Sequence, residues 1–511
     1  MAAAVRTGWF MDPEIADFAR SYHAFTEAMT KALEADASEL TPLGEHVRDF
    51  LGVDPNSIEP VSENFPAHQV VDIDLALEAL LTELAGTRHG IRGPNRGHVD
   101  SFADYLTHTF GSSFGLGSVA YERKSTGPDS DRRVVGFGLG QVRIDGVPLM
   151  WLQRTAQPRY GRELYTLEVL CPQAEVTEAF LARVRALMAE LSVLRGQVIS
   201  VATNHVAYQE PGSDITFLRR PQVRADQVVL PDGVLERVSR HVVGIGQRSD
   251  VLRAASQHLK RGVLLYGPPG TGKTHLVRHL LSQTAGTTAV LLSGRTLELL
   301  SIATTLAQSV QPAIVVLEDC DLVAEHRGGR TNAALFETLE AMDGLAADAD
   351  ITFLLTTNRA DLLERALVER PGRVDLAVEI SKPDLESRER LFRLYAAELL
   401  ASGQLTEAAV HTAAARTEGV TASFTKELIR RAVINAAQRD QAPTDADISH
   451  ALDEMLSDAE ALTLTLLGGE GRSLAGPIRQ DDEDDDDFDG DDDEDDDEIG
   501  PGLAPHGWRR F

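Results

Sequence analysis

The stretch Gly262–Thr274 reads GVLLYGPPGTGKT, and it decides the fold of the central part of the chain. Its first five residues are an apolar run of the kind found in buried strands of parallel sheets. The eight residues from Gly267 match the pattern GxxxxGK[ST] in full. The segment that begins at Lys273 is predicted to be a helix ending at Gln283. A strand, a glycine-rich loop and a helix in this order predict a phosphate-binding loop.

The residue types of this loop suit the binding of nucleotide phosphates. Glycines allow the backbone N–H groups to point at phosphate oxygens, and the helix N-terminus adds partial positive charge. Lys273 is expected to reach the β- and γ-phosphates, and the Thr274 hydroxyl is expected to bind Mg²⁺. The predicted ligands are therefore ATP and Mg²⁺, although the loop alone fits kinases, GTPases and ATPases alike. The predicted nucleotide-binding residues are Gly267, Pro268, Pro269, Gly270, Thr271, Gly272, Lys273, Thr274 and His275.

Polar residues that follow the next apolar strands predict the chemistry. The strand AIVVLE ends in Glu318, and Asp319 follows it. Carboxylates at this end of a strand can hold magnesium and activate a water molecule. The strand ITFLLTT is followed by Asn358, whose amide can hold the attacking water from the other side. Arg370 and Arg373 flank a Pro-Gly turn and are suited to reach a phosphate on a neighbouring subunit.

The pattern along the chain predicts four regions. Alternating strands and helices around the loop predict an α/β core, a P-loop parallel sheet with helices on both faces. After Pro383 the strands stop and four helical segments predict a C-terminal helical lid. Period-two strands mixed with helices predict a separate α+β domain at the N-terminus. The predicted domains are 1–225 for substrate or adaptor recognition, 226–382 for the ATPase core, 383–458 for the lid and 459–511 for a disordered acidic tail.

Glycine clusters in the N-terminal region are predicted to be hairpins and bulges. A dinucleotide fingerprint needs a strand before its glycines and a helix after them. An extended segment, QVRIDGVPLMWLQ, follows the second cluster instead. The clusters consist of Gly111, Gly115 and Gly117, and of Gly136, Gly138 and Gly140.

Composition excludes several function classes. The chain has 511 residues and a formal charge of -30, and the run 481–498 is almost entirely Asp and Glu. Nucleic acid and anionic lipid both require basic surfaces, so neither is an expected partner. The two cysteines exclude a disulfide framework, and no HExxH motif or Cys-His spacing predicts a metal other than magnesium. No apolar run is long enough for a membrane helix, so a cytoplasmic location is expected.

These motifs resemble the AAA family of the AAA+ ATPases. GPPGTGKT matches the Walker A motif, and the segments TTNR and RPGRVD match the second region of homology of that family. The resemblance covers about 228–458. It implies that Asn358 is the sensor residue and that Arg370 and Arg373 are arginine fingers acting on a neighbouring subunit. It also implies a homo-oligomeric ring, usually a hexamer, with ATP at the subunit interfaces.

Two departures from the family pattern bear on mechanism. The usual acid order is Asp then Glu, whereas Glu318 precedes Asp319 here, as in the Bcs-type AAA ATPase that translocates a folded protein. By position Glu318 takes the magnesium role and Asp319 the general-base role. The segment 293–308, where threading members carry an aromatic pore loop, has no aromatic residue. Its Leu297, Leu299, Leu300 and Ile302 suit a helix core equally well.

The sequence therefore predicts an ATP-hydrolysing ring that remodels or moves folded proteins through its N-terminal domain. A slow, nucleotide-gated assembly scaffold is the alternative, and a DNA-directed motor is disfavoured by the charge. The acidic tail is expected to serve solubility, to recruit a basic partner or to shield a basic surface of the same ring.

Overall fold

Two β-sheets and a helical bundle organise the chain. The computed structural model describes residues 13–36, 39–94, 96, 99, 101–108, 113–157, 162, 164–203, 213–320, 344, 346, 348–359 and 374–457. The helices are α1 (Pro13–Asp36), α2 (Pro42–Leu51), α3 (Val70–Glu83), α4 (Ala174–Leu191), α5 (Val234–Ser239), α6 (Ser249–Ala254), α7 (Lys273–Gln283), α8 (Leu300–Ser309), α9 (Leu385–Tyr395), α10 (Ala397–Ala401), α11 (Glu407–Arg416), α12 (Ala422–Ala437) and α13 (Asp445–Leu456). The strands are β1 (Val61–Phe65), β2 (Thr87–Arg92), β3 (Gly115–Gly117), β4 (Ala120–Gly127), β5 (Ser130–Ile144), β6 (Val147–Arg154), β7 (Tyr165–Leu170), β8 (Val198–Thr203), β9 (Ser213–Leu218), β10 (Arg261–Tyr266), β11 (Thr288–Ser293), β12 (Ala313–Glu318), β13 (Ile351–Thr357) and β14 (Leu376–Glu379).

The first sheet belongs to the N-terminal region. Its strand order is β1-β7-β6-β5-β2-β3, and β4 pairs with β5 as an antiparallel hairpin. A core that includes Trp151 and Phe180 joins this sheet to α3 and α4. A second core with Phe102 and Tyr105 packs α2 against the opposite face. The predicted α+β architecture is therefore confirmed for this region.

The second sheet carries the phosphate-binding loop. Its order is β14-β10-β13-β12-β11-β8-β9, and every pair from β14 to β8 is parallel. Strands β10 to β14 coincide with the five apolar runs that the sequence predicts. Strands β10 to β13 are largely buried on both faces, whereas only Val378 of the edge strand β14 is buried. Apolar clusters cover both faces, one containing α8 and the other containing α7. The predicted P-loop α/β fold is confirmed.

The structure corrects the sheet assignment of two strands. The sequence analysis places 198–218 within the N-terminal domain, but β8 pairs in parallel with β11 and in antiparallel with β9. The second sheet is therefore two strands wider than predicted. The β8 sequence alone gives no sign of its neighbour, because β-branched and apolar residues suit either sheet. Val198 and Ile199 fill opposite faces of the wider sheet.

Buried polar contacts attach the N-terminal region to the second sheet. Asp72 of α3 accepts hydrogen bonds from the Ser192 hydroxyl at 2.6 Å and from the Val193 backbone N–H at 2.9 Å. Val193, in the segment between α4 and β8, also packs against an apolar cluster of each sheet. A hydrogen bond to a charged group contributes about 1.5–3 kcal/mol. The two regions are thus joined by more than a chain connection.

The last described part is a helical bundle, as predicted. Helices α9 and α11–α13 enclose an apolar core that contains Phe392, Phe424 and Met455. Asp384 caps α9 by accepting a hydrogen bond from the Ser387 N–H at 2.8 Å. The predicted acidic tail, 459–511, lies outside the described residues. Among the helices that the structure describes, none is both long and apolar enough to cross a membrane.

The predicted hairpins and bulges are found at the second glycine cluster, because β5 pairs in antiparallel with β4 and β6 and the β4–β5 register shifts at Gly136. Gly136, Gly138 and Gly140 lie within β5, and Gly115 and Gly117 form the ends of β3, whereas Gly111 is outside the described residues.

Replacing Gly140 with Ala is expected to destabilise the N-terminal region. A Cβ atom there would stand 2.2 Å from the Trp151 ring, which is itself fully buried. Overpacking of this kind costs about 1–3 kcal/mol. The measurement is the thermal melting of the Gly140→Ala full chain.

Gly136→Ala is the matched control on the same strand. Its added Cβ would meet the Glu122 side chain, which can move aside, with its carboxylate oxygen 2.8 Å away. Equal melting temperatures for the two variants would show that Trp151 does not require the glycine.

Candidate nucleotide-binding and hydrolysis site

The loop between β10 and α7 has the backbone that a phosphate cradle needs. Three of its glycines have φ values that L side chains rarely adopt, namely +144° at Gly267, +77° at Gly270 and +105° at Gly272. Glycine tolerates this region because it lacks a Cβ atom. Gly272 is also the N-cap of α7, so the helix N-terminus opens directly onto the loop. This geometry explains the glycine at each of these three positions.

Close packing constrains the beginning of the loop as well. A Cβ atom on Gly267 would lie 2.3 Å from the Ile380 carbonyl oxygen, just after β14. Main-chain atoms cannot move aside as a flexible side chain can. The beginning of the loop is thus fixed against the neighbouring strand as well as by its own conformation.

The loop lysine is held inside the loop. Lys273 is buried, and its Nζ donates hydrogen bonds to the carbonyl oxygens of Gly267 at 2.8 Å and Pro268 at 2.9 Å. The Thr271 hydroxyl also donates to the Pro268 carbonyl, at 2.9 Å. An ammonium group at the centre of a ring of backbone groups is a binding site for phosphate oxygens.

Glu318 faces the first turn of α7. Burial raises the pKa of Glu318 above its ordinary value, and the charge of Asp319 adds to the rise. The charge of Arg278 and a hydrogen bond with the Thr274 hydroxyl act in the opposite direction and are smaller effects. A hydroxyl and a half-buried carboxylate beside each other are the hard oxygen ligands that Mg²⁺ prefers, together with water and substrate phosphates. The donor set therefore fits Mg²⁺.

Asp319 faces the end of the neighbouring strand β13. The Asn358 Nδ2 lies 3.5 Å from the Asp319 Oδ1. The Asp319 backbone N–H donates a hydrogen bond to the Thr356 hydroxyl at 3.0 Å. The φ of Asp319 is +52°, in the left-handed region. Asp is one of the few residues other than glycine that are common there. The two adjacent carboxylates therefore have different partners, Glu318 with the P-loop helix and Asp319 with β13.

The helical bundle also contacts the loop. The Ser423 backbone N–H donates to the Gly270 carbonyl oxygen at 3.1 Å, and the Ser423 hydroxyl donates to the same oxygen at 3.4 Å. Ser423 lies in the first turn of α12. Movement of the bundle is therefore coupled to the P-loop backbone.

The structure brings together part of the predicted site. The P-loop residues and Glu318 lie on one side, and Asp319 with Asn358 lies beside them at the strand ends. His275 is exposed, and its Nε2 lies 3.0 Å from the Gln227 carbonyl oxygen, so its ring contacts the segment before α5. The predicted finger arginines, Arg370 and Arg373, are outside the described residues.

Two contacts of the site were missed by the sequence analysis. Arg278 lies four residues after Thr274, so both belong to one face of α7 near Glu318. The four-residue spacing from Thr274 could have indicated that Arg278 lies near the site. Thr356 is a buried polar residue in an otherwise apolar strand, which was a weaker signal.

Comparison with known proteins agrees with this geometry. Residues 263–382 match the family model described as "ATPase family associated with various cellular activities (AAA)". The chain is 32% identical over 238 residues to ATP-dependent zinc metalloprotease FtsH 2 of Symbiobacterium thermophilum, which covers 43% of this chain and 40% of that protein. It is 34% identical over 149 residues to proteasome-activating nucleotidase 1 of Halobacterium salinarum, covering 26% of this chain and 36% of that protein. The chain thus matches less than half the length of either relative. With its P-loop, its acid pair and this match, the region 263–382 is similar to the AAA family of ATPases.

Proposed function

We propose that this protein is a magnesium-dependent ATPase that works as a homo-oligomeric ring on protein substrates. The observation that carries the ATPase part is the pairing of Thr274 with Glu318 next to the pairing of Asp319 with Asn358. One pair is suited to hold a metal ion and the other to hold a water molecule. A purely structural nucleotide site would need only the first pair.

The proposed reaction is transfer of the γ-phosphoryl group of ATP to water. Lys273 and the loop N–H groups bind the phosphates. Thr274 and Glu318 would hold Mg²⁺, which would supply positive charge to neutralise the transferred group. Asp319 accepts a proton from the attacking water while Asn358 orients that water. The bond between the γ-phosphorus and the bridging oxygen breaks, leaving ADP and phosphate. Asp319 suits the base role because its carboxylate is directed towards Asn358 rather than towards Thr274.

The ring supplies the remaining part of the site in this proposal. Arg370 and Arg373 of one subunit stabilise the charge on the phosphoryl group bound by its neighbour. The resemblance of RPGRVD to the second region of homology supports this role. Guanidinium groups suit it because they stay charged and bind phosphate oxygens bidentately.

The proposed substrate is a protein, recruited by the N-terminal region. Support comes from the relatives, whose names describe a metalloprotease and a proteasome-activating nucleotidase. Leu297 and Leu300 of the segment that replaces an aromatic pore loop are buried in the sheet core. Those leucines are therefore not placed to grip a substrate chain, which favours action on folded or assembled proteins. A nucleotide-gated scaffold with slow hydrolysis is the second candidate, supported by the same site.

Measurements of ATP turnover separate these functions. Stimulation by reduced, carboxymethylated lactalbumin would indicate recognition of unfolded protein, and stimulation by duplex DNA would contradict a protein-directed role. Turnover slower than assembly and disassembly of the ring would favour the scaffold. Proteins captured from a lysate by an ATP-locked variant and released on hydrolysis by the wild type would identify folded substrates.

Lys273→Ala is expected to abolish ATP binding, because it removes the ammonium group at the centre of the P-loop. Isothermal titration with a non-hydrolysable ATP analogue measures the change. Lys124→Ala, on the exposed hairpin of the N-terminal region, is the control and should bind as the wild type does. Unchanged affinity in Lys273→Ala would refute the assigned site.

Asp319→Asn and Glu318→Gln are expected to have different phenotypes. Asp319→Asn keeps the size and polarity of the side chain but loses its basicity, so it should bind ATP and stall before hydrolysis. Glu318→Gln should raise the magnesium concentration needed for half-maximal ATP binding, because its amide is a poorer metal ligand. Magnesium titrations and single-turnover rates measure both effects. Reversed phenotypes would show that the roles follow residue type rather than position.

Arg370→Ala and Arg373→Ala are each expected to keep ATP binding and lose turnover, since finger arginines contribute roughly 10³–10⁵ in rate. Mixing either variant with Lys273→Ala protein should restore part of the activity. One subunit then supplies an intact pocket and the other an intact finger. Absence of rescue, with subunit exchange shown by fluorescence energy transfer, would argue against a shared site.

A further inference from the structure

The turn after β12 is held by a side chain that the proposed mechanism does not use. Thr356 is fully buried in β13. Its hydroxyl accepts a hydrogen bond from the Asp319 N–H at 3.0 Å, and its carbonyl oxygen accepts one from the Cys320 N–H, also at 3.0 Å. One residue therefore binds the two successive N–H groups that follow the end of β12.

These two hydrogen bonds fix an unusual backbone conformation. Asp319 has a φ of +52°, which L-residues other than Asn and Asp seldom adopt. Such a conformation persists where surrounding contacts determine it. The contact to Cys320 lies beyond the paired residues of β12 and β13 and uses a backbone carbonyl that every residue type has. The hydroxyl contact to Asp319 exists only because residue 356 is a threonine or another hydroxyl residue.

The left-handed turn also decides where the Asp319 carboxylate lies. Its Oδ1 is 3.5 Å from the Asn358 Nδ2, across the edge between the two strands. Glu318, one residue earlier, instead contacts Thr274. The divergence of the two carboxylates therefore depends on the backbone conformation of Asp319.

We propose that Thr356 is a positioning residue for hydrolysis, and that its hydroxyl holds Asp319 in the left-handed turn that directs the carboxylate to the attacking water. The inference rests on the proposed function, in which Asp319 accepts the proton. It also accounts for the order of the acid pair, because the second position has a conformation that Asp tolerates better than Glu. Thr356 acts through the backbone of Asp319 and does not contact the nucleotide.

Thr356→Val tests this role because valine keeps the shape of threonine and removes the acceptor. The expected result is a fall in kcat of roughly tenfold to a hundredfold, the effect of a small misplacement of a reacting group, with the KM for ATP unchanged. Thr356→Ser keeps the hydroxyl and is expected to retain most of the wild-type rate.

Thr352→Val is the matched control. Thr352 lies four residues earlier on the same face of the same strand, it is equally buried, and its hydroxyl has no hydrogen-bond partner among the described residues. This variant is expected to hydrolyse ATP at the wild-type rate. A wild-type kcat in Thr356→Val, an equal loss in both valine variants, or a loss of ATP affinity instead of kcat would each overturn the proposal.

Hydrogen exchange separates this inference from the proposed ATPase activity. Mass spectrometry of peptides ending on either side of Asp319 measures exchange of its amide without any need for turnover. Thr356→Val should speed that exchange, and Thr352→Val should not. If the wild type hydrolyses no ATP, the proposed function fails. Unchanged exchange of the Asp319 amide in Thr356→Val would show that the hydroxyl does not hold this backbone, whatever the rate of hydrolysis.

Discussion

Parallel pairing of β12 with β13 is the constraint on which the site depends. The register joins Leu317 to Leu355, so both strands end at the same edge of the sheet. The residues that follow, Asp319 and Asn358, are thereby brought within 3.5 Å of each other although they are far apart in sequence. Burial of both strands on both faces makes this register costly to change, because a slip would move apolar side chains out of two cores. The chemistry is thus positioned by packing that lies outside the site.

Much of the second sheet could be predicted from the sequence, for a physical reason. A strand buried on both faces needs an uninterrupted apolar run, and a phosphate loop needs glycines with positive φ. Both requirements can be recognised in the local sequence, as the apolar run and the glycines of 262–274 show. The sheet to which β8 belongs could not be recognised in this way, because a short apolar strand is compatible with either sheet. Only the pairing of Ala289 with Val198 and its neighbours decides which sheet it joins.

The site shows the same division between local and distant causes. Thr274 and Glu318 were predicted to share one function, and the structure places them in contact. The role of Thr356 was not predicted, because its hydrogen-bond partner, the Asp319 N–H, is 37 residues away in the sequence and no spacing pattern links the two. By sequence the apolar residues of the segment 293–308 suit a helix core, whereas in the structure a 3₁₀ helix, Gly294–Leu299, precedes α8. Apolar spacing in so short a segment fits a 3₁₀ helix and an α-helix alike.

The attachment of the N-terminal region suggests how substrate binding is transmitted. Strand β8 follows α4 directly and pairs with β11, which in turn pairs with β12, the strand that carries Glu318. Asp72 adds a buried link from α3 to Val193. A region tied to the sheet by hydrogen bonds at these points cannot turn freely, as a domain on a flexible linker can. In the proposed function, a conformational change at the nucleotide is passed to the N-terminal region through this sheet, and a protein held by that region needs no gripping pore.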